Sequence, residues 1–104
     1  IIRFIRQKLE QAGAPADCLA MDNTPEKSPY GGETGGLILK LPGTLRGKRR
    51  LLMAHVDTVP LCEGCKPVQR DGYIESANPA TGLGADDRAG AAVVLNTALE
   101  IPRR

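Results

Sequence analysis

An apolar run, Leu51-Leu52-Met53-Ala54, leads straight into His55, the only histidine among 104 residues. The run has no polar position, so it cannot show one wet and one dry face. It reads as a strand buried on both sides. Other strand-like stretches surround it, and a helical pattern stands near each end of the chain. Strands mixed with helices in one small domain make an α/β layer, with a mixed sheet and flanking helices.

The remaining elements follow from periodicity and punctuation. Ile1, Ile2, Ile5, Leu9 and Ala12 recur at helical spacing, with Arg3, Arg6, Lys8 and Glu10 on the other side. Gly13 and Pro15 stop that pattern, so residues 1–12 form an amphipathic helix. Cys18 to Met21 reads as a short strand, and residues 22–36, rich in breakers, as a loop. Leu37 to Leu41 reads as a strand closed by Pro42-Gly43. Val68 to Ile74 spells a hairpin turning at Asp71-Gly72. After the glycine-rich Thr81-Gly82-Leu83-Gly84-Ala85, apolar positions from Ala89 to Ile101 mark a helix over roughly residues 87–100, stopped near Pro102.

Composition excludes several functions. Hydrophobic residues make up 41% and charged residues 25%, the balance of a globular chain rather than a disordered one. Phe4, Tyr30 and Tyr73 are the only aromatics, too few for base stacking, and a net charge of +2 is too small for a phosphate-binding surface. Nucleic acid is therefore not an expected partner. No apolar run approaches the roughly 18 residues that cross a bilayer, so neither is a membrane. The charged start makes a poor signal peptide, and three cysteines do not make a secreted disulfide framework. A cytoplasmic setting is expected. The chain does not start with Met, as a trimmed piece of a longer protein would not.

Two stretches can carry chemistry. In extended backbone His55 and Asp57 point the same way. A carboxylate beside a histidine can take its second ring N–H and leave the other nitrogen for a metal. The pair by itself leaves open whether it serves a metal or ties a loop. The second stretch is Gly84-Ala85-Asp86-Asp87-Arg88-Ala89-Gly90. An Asp at a helix start is ordinarily a cap. One cap needs only one carboxylate, and a cation would relieve the repulsion between two.

His55-Val56-Asp57-Thr58-Val59-Pro60 and the Gly84–Gly90 stretch resemble the two N-terminal signatures of the M20 metallopeptidase family, nearest its peptidase T-like (tripeptidase) branch. Gly32 to Gly43 is similar to the strand region that precedes them there. The resemblance implies the N-terminal part, residues 1–104, of a three-layer zinc-exopeptidase catalytic domain. It implies two zinc ions in the complete site, with His55 a ligand of one and Asp86 the carboxylate bridging both. Asp57 would be the catalytic-site residue that orients His55, and Asp86–Asp87 would carry a cis peptide. Arg88 stands where the family often has Lys. The general base, a glutamate, and the other ligands would follow beyond Arg104. The implied activity is amide hydrolysis of small peptides by a longer parent, for which a homodimer is an allowed state. Two other readings share these motifs: an N-acyl amino acid deacylase, and a scaffold or binding module without activity.

Zinc takes four ligands, or three and water, and His55 with Asp86 provides two. The chain alone is therefore expected to be inactive and to bind zinc weakly. Cys62-Glu63-Gly64-Cys65 has C-x-x-C spacing but no partner pair and no helix start, so loop variation accounts for it. Cys18 reads as a small buried hydrophobe. The basic cluster Arg46, Lys48, Arg49 and Arg50 reads as a solvated turn.

Overall fold

The computed structural model describes residues 1–101. In order, the elements are α1 (Ile2–Gln11), β1 (Leu19–Met21), α2 (Thr24–Lys27), β2 (Leu37–Leu39), β3 (Pro67–Arg70), β4 (Tyr73–Ser76) and α3 (Ala85–Glu100). Short 3-10 turns occupy Ala16–Cys18 and Pro60–Cys62. The expected stop at Pro102 lies outside the described residues. The chain forms two compact units: Ile1–Arg50 with the stretch from Leu95 onward, and Leu51–Val94.

In the first unit, α1 ends where its sequence says it should. Gly13 takes φ +94°, a left-handed conformation that glycine enters without a Cβ clash. Its N–H donates to the Glu10 carbonyl oxygen, and the Ala14 N–H donates to that of Leu9, both at 3.0 Å. This is a Schellman cap, and Leu9 and Ala14, the pair it brings together, are both buried. With Leu19 they form a core against which Ile5, Leu37, Leu39, Leu95, Ala98 and Leu99 pack. On the outer side, Arg6 pairs with Glu10 at 2.9 Å, and the Lys8 ammonium lies 5.4 Å from the centre of the exposed Phe4 ring.

β1 and β2 pair antiparallel, with Leu19 opposite Leu39 and Met21 opposite Leu37. Period-two geometry turns Leu37 and Leu39 toward the core and leaves Ile38 exposed. The connecting segment, expected to be all loop, contains the one-turn α2. Asp22 organises it: one carboxylate oxygen accepts the N–H of Thr24 at 3.0 Å and of Gly36 at 2.7 Å.

In the second unit, β3 and β4 form the expected hairpin, with Arg70 opposite Tyr73. Asp71 and Gly72 have φ +49° and +82°, the two left-handed residues of a type I′ turn.

Residues 51–54 correct the sequence reading. They form no strand, and Leu51, Leu52 and Met53 are 79%, 57% and 77% exposed. A doubly buried strand needs hydrogen-bonding neighbours and a layer over each face. Among the described residues the strands pair only as two antiparallel hairpins or ribbons, and none lies beside this run. The chain is thus a mixture of α and β, without the expected mixed sheet among these residues.

Candidate metal centre

His55 follows the apolar run 51–54, and Asp86 lies at the start of α3. The Asp86–Asp87 peptide is cis, as the resemblance implied. Asp86 (φ −87°, ψ 109°) and Asp87 (φ −112°, ψ 32°) stand outside helical dihedrals, so the regular helix begins at Arg88. The two carboxylates part company. That of Asp87 lies against Gly90, where an added Cβ would collide with it, so it covers the first turn of the helix as an N-terminal acid should. That of Asp86 turns to His55.

The imidazole is bracketed by the two acids. Its Nδ1 lies 3.2 Å from the Asp57 carbonyl oxygen and 3.4 Å from the Asp57 carboxylate, while Nε2 lies 3.3 Å from Asp86 Oδ1. Asp57 lies at Nδ1, but its main-chain oxygen, not the carboxylate that was expected to accept there, makes the closer contact. With Nδ1–H donating to Asp57, the neutral ring presents a lone pair at Nε2 to a carboxylate oxygen. Two acceptors face each other there unless a proton or a metal cation stands between them.

The proton is one solution. Desolvation pulls the His55 pKa down, but the hydrogen bond to the Asp57 carbonyl, the Asp57 charge and the Asp86 carboxylate outweigh it. The net pKa lies above the ordinary 6.5. A metal is the other. Nitrogen and oxygen donors of one tetrahedral zinc stand about 3.3–3.4 Å apart, given bond lengths of about 2.0–2.1 Å. The observed 3.3 Å fits that, and it is long for a charge-assisted hydrogen bond of about 2.7–2.9 Å. Among the described residues no group of three or more His, Cys, Asp or Glu side chains is placed to hold a metal ion. His55 and Asp86 are a pair of donors, not a full set.

Both residues line a cavity of about 430 Å³, together with Asp57, Leu61, Cys62 and Leu83. The Asp86 side chain is 97% exposed, so an incoming ligand reaches it freely. Gly84 makes the bend that brings Asp86 round. Its φ is +75°, and a Cβ there would stand 2.9 Å from the Thr58 methyl.

Two contributors escaped the sequence reading. Arg88, which read as a mild departure from a pattern, donates from Nε to the Val56 carbonyl oxygen at 3.0 Å. Cys62, set aside as loop variation, is part of the cavity wall. Its C-x-x-C spacing with glycine before the second cysteine was the available signal.

Comparison with known proteins adds one relative. No family model matches the chain, and no solved structure matches it. Over 95 residues it is 33% identical to the uncharacterized protein YqjE of Bacillus subtilis (strain 168), an overlap covering 91% of this chain and 24% of that protein. The chain spans about a quarter of the length of that relative. No helix among the described residues is long and apolar enough to cross a membrane.

Proposed function

We propose that this chain carries the first two metal-donor side chains of an M20-type zinc-dependent amide hydrolase acting on small peptides. A longer parent protein supplies the remaining donors and the general base. One observation supports the reading above others: His55 Nε2 and Asp86 Oδ1 face each other at 3.3 Å at a cavity while Asp57 backs Nδ1.

His55 would hold the metal through Nε2, and Asp86 through its carboxylate. Zinc at that position supplies Lewis acidity toward an amide carbonyl. Asp57 accepts the Nδ1–H, which fixes the tautomer and makes Nε2 a better donor. Leu61 and Leu83 give the cavity apolar walls, and about 430 Å³ falls in the range of small-molecule sites.

The test is tripeptide hydrolysis by the full-length protein. The expected result is chelator-sensitive turnover that falls by several orders of magnitude in His55→Ala and Asp86→Ala. Turnover untouched by both substitutions would overturn the reading. Hydrolysis of N-acyl amino acids in place of peptides would change the substrate class and leave the site assignment standing.

A further inference from the structure

Cys62 and Cys65 occupy the outer positions of a four-residue turn. The Cys65 N–H donates to the Cys62 carbonyl oxygen at 3.1 Å. Glu63 has φ −61° and ψ 133°, and Gly64 has φ +70°. These are type II dihedrals, in which glycine occupies the third position at no steric cost. Such a turn holds its outer Cα atoms within about 7 Å. That overlaps the window of about 4.4–6.8 Å in which two cysteines can be bridged. Both thiols are free and half-buried.

The two sulfurs face different neighbours. A Cβ added at Gly82 would stand 3.0 Å from Cys62 Sγ, and one at Gly84 3.6 Å, so this sulfur rests on the loop that leads to Asp86. The same loop is tied down by the Gly82 N–H, which donates to the Leu61 carbonyl oxygen at 3.1 Å. Cys65 Sγ instead lies 3.6 Å from Ser76 Oγ, itself 2.7 Å from Thr81 Oγ1.

We propose that Cys62 and Cys65 are a reversible thiol–disulfide pair, whose oxidation by a peroxide remodels the wall of the His55–Asp86 cavity. The regulatory half of this inference rests on the reading of that cavity as a functional site; the disulfide half does not. The Cys62 thiolate attacks one peroxide oxygen and the O–O bond breaks. Cys62 becomes a sulfenic acid, and the released hydroxide takes up the thiol proton as a first water. The Cys65 sulfur then attacks the Cys62 sulfur. The S–S bond forms, the S–O bond breaks, and the departing hydroxide leaves with the Cys65 proton as a second water. Two electrons pass from the sulfur pair to the peroxide, and a dithiol reverses the bridge by exchange. To reach Cys65, the Cys62 sulfur leaves the Gly82–Gly84 loop, and the segment carrying Asp86 loses that support.

The experiment treats the reduced full chain and its Cys62→Ser variant with stoichiometric hydrogen peroxide, without added metal. Peptide mapping locates the bridge, and NMR follows the His55 ring, the only imidazole in the chain. The expected result is loss of two titratable thiols and a Cys62–Cys65 peptide two hydrogens lighter. The His55 signal shifts with it, dithiothreitol reverses the shift, and Cys62→Ser does not show it. A bridge to Cys18, no bridge at all, or a Cys62–Cys65 bridge with an unmoved His55 signal overturns the proposal. Because no zinc is present, failure of the metal reading is seen separately.

Discussion

Arg88 Nε donates to the Val56 carbonyl oxygen at 3.0 Å, joining the first regular turn of α3 to the residue between His55 and Asp57. The contact ties the segment that carries Asp86 to the segment that carries His55. Arg88→Ala removes it. The expected loss is about 0.5–1.5 kcal/mol, the net worth of one exposed hydrogen bond, read as a roughly twofold to tenfold weaker zinc affinity. Arg88→Lys keeps the charge and recovers part of the loss. Unchanged zinc affinity and an unchanged His55 NMR signal in Arg88→Ala would show that the contact positions nothing.

The acids around His55 make a pH prediction. In the metal-free chain the His55 midpoint lies above 6.5, because hydrogen bonding and charge from Asp57 and Asp86 outweigh desolvation. A folded pKa raised above the unfolded one stabilises the fold at pH below 6.5, and that contribution disappears as pH rises through the raised midpoint. Asp57→Asn and Asp86→Asn each lower the midpoint. An NMR titration checks this, and a midpoint at or below 6.5 in the parent chain contradicts it.

Asp22 gives the opposite sign in the other unit. Hydrogen bonds from Thr24 come first, then the Gly36 N–H; these, with a lesser contribution from the Lys27 charge, hold its carboxyl below the ordinary 3.8 against opposing desolvation. Its stabilisation is complete above pH 3.8 and is lost as pH falls through the lowered folded value. Acid denaturation followed by circular dichroism should show this loss, and Asp22→Ala should remove it. An acid transition identical in the variant would place the acid sensitivity elsewhere.

Gly35 packs against the same residue. An added Cβ would run into the Asp22 carbonyl oxygen and stand 2.6 Å from Oδ1. Gly35→Ala is expected to cost about 1–3 kcal/mol, measured by urea denaturation, since backbone must move to relieve the overlap. A stability within 0.5 kcal/mol, the scale of about an ordinary surface change, would show that the loop yields freely.

Local elements were legible because local chemistry decides them. Helical spacing with Gly13 gave α1, and Asp71-Gly72 gave the hairpin, since each turn needs residues that accept positive φ. The apolar run at 51–54 was misread because burial of a strand is a property of its neighbours, which its own residues do not encode. The Asp86-Asp87 pair was legible as a pair, but its division of labour, one acid toward His55 and one over the helix start, depends on where the Gly84 bend aims the chain. The Arg88 contact was not legible at all, because a side chain reaching a distant carbonyl leaves no spacing pattern.

If His55 and Asp86 are two donors to one metal, zinc titration of the chain, followed on the single His55 ring above its midpoint, reads it out. The expected result is a zinc-dependent shift of that signal, with a dissociation constant weaker than about micromolar because two donors leave the coordination sphere incomplete. Binding disappears in Asp86→Ala, weakens only modestly in Asp57→Ala, which keeps the main-chain oxygen nearest Nδ1, and brings no tripeptide turnover by the chain alone. A His55 signal indifferent to zinc would rule out the shared metal. So would binding that survives Asp86→Ala but is lost on replacing Cys62 and Cys65 with serine.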